Sequence, residues 1–192
     1  MSIHTKIDKE GIYFITFTCY SWLPLIELSQ GYNTVYNFFG ALANQNHTVL
    51  AYVIMPNHLH LLLHYSGEKS LNTVIGNGKR FMAYEIVSLL EQKGEQATLQ
   101  KLQAEVRDKD RSRGKKHEVW INSFDVKECR TEKFILQKLM YIHENPVRGK
   151  WKLCATSLDY LHSSARFYLN GKQPLFAVKD YRDFVKWEEM YE

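Results

Sequence analysis

Two histidines separated by a single leucine are the sharpest chemical feature of this 192-residue chain. His58 and His60 lie in the segment HLHLLLH, whose alternating pattern predicts a β-strand. Because alternate residues of a strand face the same side, both imidazoles project together while Leu59 points into the core. Their Cα atoms are then about 6.5–7 Å apart, which lets both rings meet at one metal ion. Histidines at this spacing also occur as ordinary surface or core residues, so the spacing alone leaves both roles open.

A second group of candidate residues lies near the end of a predicted helix, in the segment YIHENPVR. Tyr141 and Asn145 are four residues apart, so they share one helix face and offer a hydroxyl and an amide oxygen. Gln137, one turn earlier, is a weaker candidate for the same site. His143 and Glu144 point elsewhere and are expected at the surface. A buried tyrosine and a C-terminal asparagine cap would explain the same residues without any chemistry.

The elements that must position these side chains follow from the apolar pattern. Clusters of β-branched and aromatic residues, or their alternation with polar ones, predict strands, and a recurrence every three or four positions predicts helices. The predicted strands are 12–20, 48–55, 58–64 and 118–126. The predicted helices are 30–46, 70–92 and 131–145, followed by an irregular tail with a further helix near 179–190. This order predicts an α+β, ferredoxin-like (RRM-like) fold, with two helices packed on an antiparallel four-stranded sheet.

The excess of positive charge is concentrated in one short stretch. The chain has 25 Lys and Arg against 21 Asp and Glu, and residues 107–116 (RDKDRSRGKK) hold six of the basic and two of the acidic residues. We expect this stretch to belong to a flexible connection over 93–116. It suits contact with nucleic-acid phosphates, although a solvated loop is the commoner explanation of a charge run.

The overall composition excludes several classes of protein. With 45% hydrophobic and 24% charged residues, the chain is globular in composition and not disordered. No apolar run reaches the ~18–20 residues of a membrane span, and the N-terminal segment lacks the apolar stretch of a signal peptide. The three cysteines are isolated, which disfavours a zinc ribbon or a disulfide scaffold. We therefore expect a cytoplasmic protein without a membrane partner.

Taken together, the segments YVIMPNHLHLLLH (52–64) and YIHENPVR (141–148) resemble the two signatures of the single-tyrosine HUH transposases. More narrowly, they resemble those of the REP-associated tyrosine transposases and their bacterial insertion-sequence relatives. HUH denotes two histidines around a hydrophobic residue. The resemblance spans roughly residues 10–170. It implies a catalytic domain over 1–150 and a tail over 151–192 that packs on this domain or extends it.

The resemblance implies a metal-dependent enzyme that binds hairpin DNA and nicks single-stranded DNA. Tyr141 would be the nucleophile, forming a covalent 5′-phosphotyrosine link and freeing a 3′-hydroxyl, and rejoining would transfer the strand. His58, His60 and Asn145 would hold a divalent metal, Mg²⁺ or Mn²⁺. The protein would be bacterial and nucleoid-associated, with both a monomer and a homodimer left open.

Basic side chains are the expected contacts to the DNA. The candidates are Lys79, Arg80, Arg111, Arg113, Lys115, Lys116, Arg148 and Lys150. The nearby Trp151 could stack on an unpaired base, whereas Phe81 is expected in the core.

Two other functions stay open at this stage. A non-catalytic or domesticated module on an RRM-like sheet would bind hairpin DNA or another nucleic acid and leave Tyr141 dispensable. A replication initiator or relaxase-like nickase usually has a longer chain, so the 192 residues disfavour it.

Overall fold

The computed structural model describes residues 6–121, 124–149 and 151–185. Its centre is a four-stranded antiparallel sheet in the order β2-β3-β1-β4. The strands are β1 (Gly11–Thr18), β2 (Thr48–Met55), β3 (His58–Tyr65) and β4 (Asp125–Glu128). This is the split β-α-β arrangement of ferredoxin-like folds, so the predicted fold class is confirmed.

Helices connect and cover the strands. In the described part of the chain they are α1 (Leu25–Ser29), α2 (Tyr32–Ala43), α3 (Leu71–Gln92), α4 (Gln96–Ala104), α5 (Asp108–Arg111), α6 (Glu132–Glu144) and α7 (Ala165–Asn170). Two short 3-10 helices span Tyr20–Trp22 and Tyr181–Phe184. Within these ranges, no helix is long and apolar enough to cross a membrane.

The sheet separates two apolar cores. On one side, here called the α3 face, Leu59 and Leu61 of β3 pack with α2 and α3. On the other, the α6 face, Leu62 packs with Ile135 and Leu139 of α6. Since side chains alternate along a strand, His58 and His60 project to the α6 face. The strand pattern thus decides which helix the two histidines meet.

One glycine sets the spacing of the helices on the α3 face. Gly78 lies inside α3, where glycine normally weakens a helix. A Cβ at this position would lie 2.1 Å from the ring of Phe38 in α2. Gly78 therefore allows the two helices to pack closely.

The fourth strand differs from its predicted position of 118–126. Its observed range is Asp125–Glu128, and Trp120 forms only an isolated bridge with Cys19. The Trp120 side chain is buried and donates a hydrogen bond from Nε1 to the Lys79 carbonyl at 2.9 Å. The aromatic residue that suggested a strand at 118–126 is therefore explained by its burial against α3 and not by strand pairing.

The connection expected to be flexible over 93–116 is largely helical, because it contains α4 and α5. Leu99, Leu102 and Val106 are buried, and their spacing forms an apolar stripe within a polar stretch. Part of the basic charge is also paired, since Arg107 lies 2.6 Å from Asp110. The prediction of flexibility was wrong because the polar composition concealed this short stripe.

The C-terminal stretch packs along β2 and contacts α6. Ser163 bridges Val53, and the Ser164 Oγ accepts a hydrogen bond from the Tyr52 N–H at 2.9 Å. His143 is buried and lies with Nε2 3.0 Å from the same Oγ, so its expected surface position was wrong. Of the helix expected near 179–190, only a 3-10 turn is observed, and 186–192 lie outside the described residues.

Candidate active site

A cavity of about 610 Å³ opens on the α6 face, between the first and third strands and α6. His58, His60, Tyr141 and Asn145 all line it. The ring centroids of His58 and His60 are 4.8 Å apart, and those of His60 and Tyr141 are 4.9 Å apart. The structure therefore brings the two sequence motifs together in one place, although 80 residues separate them along the chain.

The orientation of α6 directs its functional residues into this cavity. The helix begins after Thr131, whose side chain accepts a hydrogen bond from the Phe134 N–H. Burial of Ile135, Leu139 and Ile142 against the sheet fixes the rotation of the helix. The residues beside this stripe then face the cavity. Tyr141 remains 49% exposed, so its hydroxyl is within reach of a substrate.

The hydrogen bonds of His58 fix its tautomer. Its Nδ1 lies 2.6 Å from the Asn57 Oδ1, and the Asn57 amide group donates from Nδ2 to the Trp22 carbonyl at 3.0 Å. Since the second bond orients the amide, Asn57 can only accept from His58, and Nδ1 carries the proton. Burial lowers the pKa of His58 to about 4, so the ring is neutral at pH 7.

The other nitrogen of His58 therefore presents a lone pair. It lies 3.1 Å from the Asn145 Oδ1, which is also an acceptor. Two acceptors at this distance repel each other unless a positive centre lies between them or the amide turns over. The pair is therefore suited to sharing a cation.

His60 has one nitrogen satisfied and one without a partner. Its Nδ1 lies 2.9 Å from the Thr16 Oγ1, while Nε2 is buried and has no hydrogen bond to any described residue. Burial, helped by the nearby His58 and Lys138, holds the pKa of His60 well below its usual range. An unpaired buried nitrogen is costly, and a metal ion would satisfy it.

These atoms form a donor set for a divalent ion. Two neutral imidazoles and one amide oxygen suit Mn²⁺ well, and Mg²⁺ is compatible when water completes its shell. In the described ranges no three His, Cys, Asp or Glu side chains cluster at a metal-binding distance. The Asn145 Oδ1, 3.1 Å from the His58 Nε2, offers an oxygen donor beside the two imidazoles.

Several cavity residues were not anticipated from the sequence. They are Phe14, Thr16, Trp22, Asp125, Lys127, Lys138 and Gly149. Trp151, the expected stacking residue, also lines the cavity, and so does Glu144, whose expected direction away from Tyr141 was wrong. Asn57 and Lys138 could have been found, because one precedes His58 directly and the other lies one helical turn before Tyr141. Thr16 could not, because its place beside His60 depends on the β1–β3 register. Gln137, the weaker candidate, is exposed and does not line the cavity.

Trp22 forms part of the cavity wall under an unusual backbone constraint. Its φ of 57° and that of Ser21, 52°, are left-handed values that non-glycine residues rarely adopt. The indole is 56% exposed and lies edge-on to His58, with 5.8 Å between the ring centroids. An exposed aromatic ring at this position can stack on an unpaired base.

The basic residues divide between two places. Arg148 lines the site cavity, where it pairs with Glu144 at 2.7 Å. Another group lines a separate cavity of about 450 Å³ beside α3, on the opposite side of the sheet, together with the exposed Tyr84. This group consists of Arg80, Arg113, Lys115 and Lys116. We call it the basic groove.

The remaining predicted contacts are placed differently. Lys79 is buried and donates from Nζ to the Ile121 carbonyl at 2.7 Å, so it is not a surface contact. Arg111 donates to the carbonyls of Gln103 and Val106 at the end of α4. Phe81, expected in the core, is 61% exposed. Lys150 lies outside the described residues.

Comparison with known proteins yields matches only among solved structures, because no family model and no curated protein matches the chain. The chain is similar to a REP-associated tyrosine transposase solved with a bound REP hairpin. The TM-score is 0.60 at 16% identity, over 100% of this chain and 98% of that one. A Deinococcus radiodurans R1 protein provisionally described as a transposase gives a TM-score of 0.41 at 13% identity, over 75% of this chain and 97% of that one. The resemblance expected from the motifs is thus confirmed at the level of structure: the chain has the fold of a REP-associated tyrosine transposase.

Proposed function

We propose that this protein is a metal-dependent single-strand DNA endonuclease and strand transferase that binds hairpin DNA and cleaves through a phosphotyrosine intermediate. One observation carries the proposal: Tyr141 shares a cavity with two buried imidazoles and an amide oxygen. The His60 Nε2 has no hydrogen bond to a described residue, and the His58 Nε2 lies 3.1 Å from the Asn145 Oδ1. A binding module requires no such arrangement. The fold shared with a REP-associated tyrosine transposase supports the same conclusion.

The nicking step is a displacement at phosphorus. The Tyr141 Oη forms a bond to the scissile phosphorus, and the bond from phosphorus to the 3′-oxygen breaks. The phenol gives its proton to solvent, and the departing 3′-oxygen takes one from solvent. The products are a 5′-phosphotyrosine and a free 3′-hydroxyl. Since the link is still a phosphodiester, attack by a 3′-hydroxyl reverses the step without ATP.

The surrounding residues prepare the metal ligands. Asn57 and Thr16 hold the Nδ1 atoms of His58 and His60, so both Nε2 atoms are available to an ion shared with Asn145. A bound Mg²⁺ or Mn²⁺ would polarise the scissile phosphate and offset negative charge in the transition state. Because the ligands and Tyr141 lie in one chain, we propose that a single subunit holds a complete site.

Two surfaces would bind the DNA. Trp22 and Trp151 on the cavity wall suit unpaired bases near the scissile phosphate. The basic groove on the α3 face suits the phosphates of a folded stem. The similar transposase was solved with a REP hairpin, which supports a hairpin as the ligand here.

A covalent-adduct assay tests the proposal. The protein is incubated with 3′-labelled single-stranded hairpin DNA and Mn²⁺, Mg²⁺ or EDTA, and the products are separated on a denaturing gel. We expect a protease-sensitive shifted band with either metal, its loss in EDTA and in Tyr141→Phe, and its retention in the control Tyr84→Phe. Hairpin binding without any adduct would instead identify a binding module, and an adduct in Tyr141→Phe would exclude Tyr141 as the nucleophile.

A further inference from the structure

Among the described charged side chains that line the site cavity, all but one are paired. Arg148 lies 2.7 Å from Glu144, and Lys127 lies 3.9 Å from Asp125. Lys138 also lines the cavity, yet it forms no ion pair with any residue in the described ranges. Its positive charge is therefore not neutralised by a carboxylate.

Three aromatic rings hold the Lys138 ammonium in place. Its Nζ lies 4.9 Å from the ring centroid of Phe14, 4.8 Å from that of Phe134 and 5.9 Å from that of Tyr141. Cation–π contacts attract an ammonium but leave its charge and its hydrogen-bond donors available to a ligand. The three rings therefore hold the Lys138 ammonium in position while its N–H groups remain available to donate hydrogen bonds.

The helix places this cation beside the proposed nucleophile. Lys138, Tyr141 and Asn145 follow one another at intervals of three and four residues along α6 and its C-cap, so they form one row. Tyr141 thus lies between the cation and the amide ligand. A phosphate in position for attack by Tyr141 would meet the proposed metal ligands on one side and Lys138 on the other.

We propose that Lys138 is a further catalytic residue, which donates a hydrogen bond to a non-bridging oxygen of the scissile phosphate. It stabilises the negative charge that develops as the bond from the Tyr141 oxygen to phosphorus forms and the bond to the 3′-oxygen breaks. Lys138 keeps its protons throughout, so the balance of the nicking step is unchanged. This role depends on the proposed nicking function.

Single-turnover cleavage rates at increasing DNA concentrations test this role. We expect Lys138→Met to lower the maximal rate on the order of 100-fold, as loss of one transition-state donor does, while hairpin affinity changes only a few-fold. Lys138→Arg should recover part of the rate because it restores the charge. The control Lys133→Met removes an equal charge from an exposed position of α6 outside the cavity and should stay within a few-fold of the wild type.

The possible outcomes separate the two proposals. A wild-type rate in Lys138→Met, or an equal loss in Lys133→Met, would overturn the role of Lys138 while the adduct assay still supports nicking. No adduct from the wild type would overturn both. If Lys138→Met fails to fold by circular dichroism, Lys138→Gln and Lys138→Arg decide, since a purely structural role predicts altered melting temperatures without a specific loss of rate.

Discussion

The two faces of the sheet present polar groups in opposite ways. On the α6 face, two histidines are buried, neutral and fixed by partners on neighbouring strands and turns. On the α3 face, the basic groove presents Arg80, Arg113 and Lys116 toward solvent beside Tyr84, while Lys115 pairs with Glu118. Metal-assisted chemistry needs ligands of fixed protonation and direction, whereas phosphate binding needs accessible charge. We therefore propose that the sheet separates the nicking site from the surface that holds the phosphates of the hairpin stem.

The largest expected loss of cleavage follows from changing a histidine on the α6 face. His58→Ala removes a ligand and leaves Asn145 without its counterpart, so we expect cleavage to fall by roughly 100-fold or more. Mn²⁺ binding by isothermal titration calorimetry should weaken in parallel. His64→Ala is a matched control, because His64 lies on the same face of β3 but pairs with Glu10. Unchanged Mn²⁺ affinity in His58→Ala would exclude it as a ligand.

A smaller loss of metal affinity is expected when a residue that orients a proposed ligand is changed. Asn57→Ala removes the acceptor that holds the His58 tautomer, and loss of such a partner typically costs about 10–100-fold in metal affinity. The same calorimetric titration measures this loss. Retention of full affinity would show that the tautomer of His58 does not depend on Asn57.

The α3 face contains two consecutive basic residues with different roles. Arg80 lines the basic groove, so Arg80→Gln should weaken hairpin binding and reduce the slope of log K against log salt concentration by about 0.7–0.9. Lys79→Met should leave both quantities unchanged, because Lys79 is buried. Binding titrations at several salt concentrations measure the two slopes. Equal slopes for Arg80→Gln and the wild type would assign the groove a role other than DNA binding.

The prediction with the least bearing on DNA cleavage concerns the stability of the fold and its dependence on pH. Burial lowers the pKa of Lys79 to about 8 in the folded protein, against an ordinary value of about 10.4. Between these values the unfolded chain binds more protons, so the free energy of unfolding should rise with pH, by at most about 3 kcal/mol for this group. Urea unfolding of the wild type and Lys79→Met at about pH 8 and about pH 10 (roughly the ends of this window) should show this rise only in the wild type. Parallel pH dependence of the two proteins would contradict the burial of a charged Lys79.

Local patterns predicted the positions of the histidine and tyrosine motif residues better than those of the basic residues. Strand alternation placed His58 and His60 on one side, and helix spacing placed Tyr141 and Asn145 together, because both relations are set by backbone geometry. The meeting of the two motifs was inferred from a family resemblance, since no local rule joins residues 80 positions apart.

Tertiary packing determined what the sequence did not show. Phe81 is exposed and Lys79 is buried, the reverse of what was expected, because the packing of α3 decides which of its residues face the core. Thr16 reaches His60 only through strand register, and the three rings around Lys138 come together only in the folded chain. Residues whose roles depend on several elements were therefore found only in the structure.

Mass spectrometry of the covalent product tests the central claim most directly. After incubation with hairpin DNA and Mn²⁺, nuclease and trypsin digestion should release the peptide LMYIHENPVR (139–148), in which Tyr141 is the only tyrosine. The account predicts a nucleotide linked through its 5′-phosphate to Tyr141 in this peptide. An unmodified peptide from a reaction in which the DNA has been cleaved, or a nucleotide on another tyrosine, would contradict it.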